Sequence, residues 1–149
     1  MTLIDQIGRH LSGIEQLRIM LSTGRRAGLT DTLDIRLVEV DDGRIVMEAT
    51  PDLYVYNPAG VAHGGFAAAI LDSCCGYAVL SQMAPGQRFT TLELKVAYHR
   101  AITRDTGVVR AEGRIVTCGR RAAFAEGRLT DASGTLYASA TSSLLVMSG

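Results

Sequence analysis

The sequence predicts an α+β fold in which one antiparallel sheet curls around a single long apolar helix. Three observations carry this. From Gly64 to Gln87 the only charged side chain is that of Asp72, and a helix apolar on nearly every side needs something around it. After Arg88 the hydrophobic period changes to two, and four strand-like segments follow. Before the apolar segment, two alternating runs meet at Asp42-Gly43, the chemistry of a two-residue hairpin turn.

Each element follows from its local pattern. Ile4, Ile7, Leu11, Ile14, Leu17 and Leu21 recur at three- and four-residue spacing, predicting one amphipathic helix that ends near Gly24. In "TLDIRLVEV", Leu33, Ile35 and Leu37 alternate with Asp34, Arg36 and Val38, and "RIVMEAT" returns after the turn. A loop with Pro51, Asn57, Pro58 and Gly60 leads into the central helix, expected from about Gly64 to Ser81 and stopping before Pro85-Gly86. In "FTTLELKVAYHRAI" the period places Leu92, Leu94, Val96 and Tyr98 on one face, and Glu93, Lys95 and His99 on the other. "TGVVRAEGRIV" sets Val109, Ala111, Gly113 and Ile115 opposite Arg110, Glu112 and Arg114. Turns at Cys118-Gly119 and Ser133-Gly134 flank "RRAAFAEGRLT", and "TLYASATSSLLVM" closes the chain. Gly113 and Gly127 fall inside strands, where glycine marks a bend or a close approach, so both would let the sheet hug the helix. The expected organisation is one domain over residues 1–149, with an N-terminal helix in 1–24 and the core in 32–147.

Composition narrows the function classes. Fifteen basic and fifteen acidic side chains cancel, with no long run of one sign, which argues against nucleic acid as a partner. The apolar segment is long enough to cross a bilayer, yet it is rich in Ala, Gly and Ser. An aspartate near its middle costs roughly 2.5–3.5 kcal/mol on insertion scales, so a soluble core helix is expected. The first residues lack the basic and apolar regions of a signal peptide, and a cytoplasmic protein is expected. Cys74, Cys75 and Cys118 form neither a disulfide framework nor a metal-spaced pair, and are read as reduced thiols.

Asn57, then His63-Gly64-Gly65, then Asp72 nine residues after the histidine, form a constellation on either side of a helix start. This resembles the active-site signature of hotdog-fold acyl-CoA thioesterases, above all the phenylacetic-acid-pathway (PaaI-like) group. The element order is similar from residue 32 onward, and "TTLELKVAY" resembles that family's strand after the helix. One departure is Ala101 in "YHRAITRDTG", where relatives often have proline. The resemblance implies an acyl-CoA substrate, hydrolysis to the free acid and coenzyme A, and no metal or redox cofactor.

Residue chemistry leads the same way. Gly64 opens a helix, where backbone N–H groups lack partners and the dipole favours negative charge, as an oxyanion would require. The family implies that role for its N–H. Asp72 lies eight residues on, a rise of about 12 Å at 1.5 Å per residue. If both groups act on one thioester, the carboxylate comes from a second copy, and the resemblance likewise implies a homodimer with composite sites, expected to pair again into a homotetramer. Asp72 would act as general base on water or as nucleophile.

Asn57 would position the water or the carboxylate, although an Asx turn before Pro58 uses the same amide. Thr91 matches a hydroxyl position that can reach the nucleophilic water or Asp72, and His63 is expected to organise the loop near the thioester. Gly65, Tyr54 and Phe66, with Ile70 and Tyr77, are candidate acyl-group contacts. Arg100, Arg104, Arg120 and Arg121 are candidates for the phosphates of coenzyme A. Two other readings remain: a hydratase or dehydratase on the same fold, and a non-catalytic acyl-CoA-binding dimer.

Overall fold

In the computed structural model, which describes residues 1–149, six antiparallel strands form one sheet: β1 Arg36–Asp41, β2 Arg44–Ala49, β3 Arg88–Tyr98, β4 Val109–Cys118, β5 Ala122–Asp131 and β6 Leu136–Met147. Their spatial order is β1-β2-β4-β5-β6-β3. The central helix is the fourth, after α1 Leu3–Ile7, α2 Gly13–Thr23 and α3 Leu29–Thr32. This α4 runs Gly64–Leu80 and packs on β2, β3, β4, β5 and β6. Phe66, Ala67, Ile70, Leu71, Cys74, Cys75, Ala78 and Val79 are all buried along it. The apolar helix surrounded by one curled sheet is what the pattern predicted, and it is the hotdog fold that the resemblance implied.

Two glycines make that wrap possible. Gly113 and Gly127 are cross-strand partners, and both lie directly beneath the middle of α4. A Cβ on Gly113 would come within 2.4 Å of the Cys74 carbonyl oxygen, and one on Gly127 within 3.0 Å of Leu71 Cδ2. At the far end of α4, Ser81 Oγ donates to the Ala78 carbonyl at 2.7 Å and accepts the Gly43 N–H at 2.8 Å. The Asp42-Gly43 hairpin is thereby docked on the end of the helix, with Gly43 at a left-handed φ of 75°.

Three local expectations are corrected. The single N-terminal helix is two, because Gly8 leaves helical geometry at φ 133° and Ser12 starts a new helix in a capping box with Glu15. The break lets Gly13 abut α4, its N–H donating to the Met83 carbonyl at 2.9 Å. Buried Gln16 then satisfies the carbonyls of Gly8 and Leu11 at 3.0 and 3.2 Å. Only Leu17 and Met20 of α2's apolar stripe are buried, while Leu21 is exposed.

The first strand begins at Arg36 rather than Thr32, because Leu29–Thr32 winds into α3 and Asp34 turns the chain at φ 49°. In β3 a bulge between Thr91 and Glu93 leaves Leu92 outside the ladder, and Leu92 is 63% exposed. Phe89 and Thr91 therefore share the more buried face with Leu94 and Val96, a change of parity that strict alternation does not allow. Tyr98, expected on the apolar face, is half exposed at the strand's end.

Candidate active site

The N-terminus of α4 explains the His-Gly-Gly sequence. His63 is the N-cap, and its Nδ1 accepts the Gly65 N–H at 2.8 Å. A nitrogen that accepts carries no proton, so the neutral ring keeps its proton on Nε2. A Cβ at Gly65 would fall 2.9 Å from that same Nδ1, which excludes larger residues without moving the ring. Gly64 is constrained from the other side: its Cβ would lie 3.1 Å from Tyr98 Oη and 3.2 Å from Cζ. Tyr98 Oη donates to the Gly64 carbonyl at 2.7 Å. The Gly64 N–H has no hydrogen-bond partner in the chain.

Beside Gly64 lies a cavity of about 370 Å³ lined by His63, Tyr98, His99, Arg100 and Tyr137. His99 Nε2 is 2.8 Å from Ser139 Oγ. Sequence reasoning missed Tyr98, His99 and Tyr137 as part of this site. The signal the sequence offered was the pair of adjacent glycines, which leave the His63 and Tyr98 rings free of a crowding Cβ.

Asp72 is half buried in the middle of α4, and Thr91 Oγ1 donates to its Oδ1 at 2.9 Å. The pairing of Thr91 with Asp72 was expected. Asp72 stands about 12 Å along the helix from Gly64, so one chain does not bring the two onto one carbonyl.

Asn57 forms the Asx turn: its Oδ1 accepts the Ala59 N–H at 2.9 Å and lies 3.4 Å from the Val61 nitrogen. The loop is closed further by the Asn57 N–H donating to the Val61 carbonyl and the Ala62 N–H to the Ile102 carbonyl. The amide oxygen is thus occupied by the loop that leads into His63.

The remaining candidates separate. Arg100 lines the Gly64 cavity, whereas Arg104 lies on the exposed 3₁₀ turn Arg104–Thr106. Arg120 and Arg121 form the β4–β5 turn, where the Arg121 carbonyl accepts the Val146 N–H. That is the opposite end of the sheet from Gly64. Tyr54 and Phe66 line a second depression of about 350 Å³ with Leu29 and Leu33, and Tyr54 Oη donates to the Leu33 carbonyl at 3.2 Å. Burial, with Asp34 and Asp52 nearby, pushes the Tyr54 phenol up. Ile70 was expected at the acyl group but is fully buried, its side chain part of the hydrophobic core. Tyr77 lines a third cavity of about 480 Å³ with Phe89.

Cys74 and Cys75 are completely buried. The neighbouring Cys75 thiol, together with burial, pushes the Cys74 thiol well above its ordinary value, and Cys74 Sγ donates to the Leu71 carbonyl at 3.2 Å. A thiol in that condition is a poor nucleophile. No helix is long and apolar enough to cross a membrane.

Residues 59–138 match the model of the thioesterase superfamily. The chain belongs to that superfamily. The match spans His63, Gly64, Asp72, Thr91 and Tyr98, and leaves α1–α3, β1 and β2 outside. The enzyme is similar to a 1,4-dihydroxy-2-naphthoyl-CoA hydrolase of Listeria monocytogenes serotype 1/2a (strain 10403S), at 26% identity over 104 residues, covering 70% of this chain and 83% of the relative. Its fold is similar to that of a thioesterase family protein from Silicibacter pomeroyi, with a TM-score of 0.81 and 23% identity over 93% of this chain and 100% of that one. A phenylacetic acid degradation-related protein from Ralstonia eutropha JMP134 superposes with a TM-score of 0.77 at 25% identity, covering 87% of this chain and 98% of that one. The chain is a thioester hydrolase.

Proposed function

We propose that the enzyme hydrolyses aromatic or medium-chain acyl-CoA thioesters at sites shared between two copies of the chain. The observation that carries this reading is the pair of unlike groups on one helix: an unpartnered Gly64 N–H at its start and the Thr91-bonded Asp72 about 12 Å further on. In a dimer whose two-fold axis runs perpendicular to α4 the two helices are antiparallel, so Gly64 of one copy can face Asp72 of the other. The thioester carbonyl accepts the Gly64 N–H, which stabilises the oxyanion as charge develops. Asp72 takes a proton from water as the water oxygen bonds to the carbonyl carbon. The C–S bond then breaks as the proton held by Asp72 passes to the departing sulfur, giving the carboxylic acid and the thiol of coenzyme A. Direct attack by Asp72 would instead pass through a mixed anhydride, and water opening it at the Asp72 carbon would put ¹⁸O from solvent into that side chain in a single turnover.

His63 and Asn57 hold the loop and helix start, with Gly65 leaving room for the imidazole. Arg100, in the Gly64 cavity, suits the phosphate-bearing half of the substrate, and the other arginines would meet it only across the dimer. The edge strand β3 supports pairing, because eleven residues end the sheet on that side with Leu92 and Tyr98 exposed. Outward-facing Val116, Phe124 and Leu145, 61%, 44% and 36% exposed, support a further pairing into a tetramer. Three unpaired cysteines fit a cytoplasmic setting. The naphthoyl-CoA relative supports an aromatic acyl group.

The test is free-thiol release from aromatic and aliphatic acyl-CoAs by the wild type and Asp72→Ala, both confirmed as folded oligomers. Release that collapses in the variant is expected. Equal rates would remove Asp72 from the reaction.

A further inference from the structure

The seam between α4 and β3 is a ladder of three contacts. Tyr98 meets Gly64, Thr91 meets Asp72, and the Phe89 ring packs where a Gly76 Cβ would be, 3.0 Å from that position. Beyond the last rung, the seam opens into the largest of the three cavities, about 480 Å³, within the usual range for a small-molecule site. Leu3, Ile4, Met20, Tyr77, Leu80 and Phe89 give it an apolar side, while Arg9 and Arg88 stand among its polar lining. The Tyr77 hydroxyl makes no hydrogen bond in the chain. The Gly64 cavity at the other end carries Arg100, His99 and His63.

We infer that this cavity receives the distal, apolar part of the acyl group. The inference rests on the hydrolytic reading above, in which Asp72 marks the position of the thioester carbon. From Asp72 to Tyr77 and Leu80 the helix rises by about 7.5 and 12 Å. At roughly 1.3 Å per methylene, from C–C bonds of about 1.5 Å, that length takes about six to nine methylenes beyond the thioester carbon, or a fused aromatic ring. Two of the walls come from α1 and α2, which lie outside the residues matched by the superfamily. The N-terminal helices therefore act as a size gauge added to the hydrolytic core. The break at Gly8 builds it, because it swings α1 away from the axis of α2 and sets Leu3 and Ile4 on the cavity.

The test reads binding without turnover, by isothermal titration with two thioether analogues that cannot be hydrolysed, decyl-CoA and ethyl-CoA. The wild type is expected to bind decyl-CoA at least about tenfold more tightly than ethyl-CoA. Ile4→Trp fills the cavity and Ile4→Gln makes its apolar side polar without added bulk, and each is expected to reduce that ratio below about threefold. Ala132→Trp adds the same bulk on the exposed β5–β6 turn and is expected to keep the ratio. A wild type without length preference, or folded Ile4 variants that retain it, would overturn the inference. Loss of the ratio in a protein that releases no thiol would uphold the cavity and reject hydrolysis. Thiol release with the ratio untouched would do the reverse.

Discussion

Thr91 Oγ1 donates to Asp72 Oδ1 at 2.9 Å, and the bulge at Leu92 is what turns Thr91 toward the helix while Leu94 and Val96 still face the core. A carboxylate held on one oxygen by a neutral hydroxyl has its orientation set and its other oxygen free. Thr91→Val keeps the shape and removes only the donor. It is expected to lower kcat by about tenfold with little change in KM, and Thr91→Ser should recover most of the loss. Steady-state rates on any acyl-CoA the wild type turns over would check this, and an unaltered kcat in the valine variant would count against a role for the bond.

Gly64 and Tyr98 are fitted to each other more closely than a flexible turn requires. An alanine at position 64 would set its Cβ 3.1 Å from Tyr98 Oη, displacing the ring by a few tenths of an ångström and disturbing the bond to the Gly64 carbonyl. Gly64→Ala is expected to cost about tenfold to a hundredfold in kcat/KM, since an oxyanion donor must be held within tenths of an ångström. Tyr98→Phe, which keeps the ring and loses the hydrogen bond, should cost about 1 kcal/mol of stability. Kinetics and urea unfolding on both variants separate the two effects.

The sheet's grip on α4 is tested at its glycines. Gly113→Ala drives a Cβ to 2.4 Å from the Cys74 backbone, which cannot yield without moving the helix, so a loss of about 3 kcal/mol or more is expected. Gly127→Ala meets the tips of Leu71 and Cys75 at 3.0 and 3.2 Å, and a side chain can give way, so about 1–2 kcal/mol is expected. Urea midpoints should follow that order. The reverse order would mean that the sheet, not the helix, absorbs the strain.

These contacts show where local pattern sufficed. The bounds of α4, the Asp42-Gly43 hairpin and the close approach at Gly113 and Gly127 were legible because each is written within a few residues as period, turn chemistry or a missing side chain. The break in the first helix was not, because Ile7, Leu11 and Ile14 stay in helical phase across it. Only the Ser12 and Glu15 capping box betrays a second start. The β3 bulge adds one residue without altering composition, so its change of parity shows only once Thr91 is placed against Asp72. The pairing of Gly64 with Tyr98 spans 34 residues and needs the folded seam.

On the far side of the sheet, Arg44 bonds Glu39 at 2.7 Å, Asp41 at 2.9 Å and Glu112 at 2.8 Å, while Arg110 joins Glu48 and Glu39. Hydrogen bonds from Arg110 and Arg44 hold the Glu39 carboxyl below the usual range. Burial pushes the Glu112 carboxyl up, but bonds from Arg114 and Arg44 outweigh it and the net shift is downward. A carboxyl lowered in the folded state contributes stability above its unfolded value, about 4.3 for glutamate, and loses it as pH falls through the folded value. The wild-type urea midpoint should therefore decline as pH drops from about 5 toward 3. Arg44→Met should start lower at neutral pH and decline less, and parallel curves would show that the network is not linked to acid stability.

Shared sites make a prediction that no arrangement within one chain can meet. Asp72→Ala removes the carboxylate and Gly64→Ala disturbs the N–H, so each variant alone is expected to release little thiol. In a mixed dimer, one site combines the intact Gly64 of the first chain with the intact Asp72 of the second, while the other site carries both defects. Random mixing makes about half of all dimers mixed, with one good site in each, so refolding equal amounts together should restore about a quarter of wild-type activity. Restoration should track the fraction of mixed dimers, measured with two affinity tags. Mixed dimers that form and stay inactive would place the complete site within a single chain. Gly64 and Asp72 could then not act on the same carbonyl, because about 12 Å of helix separates them.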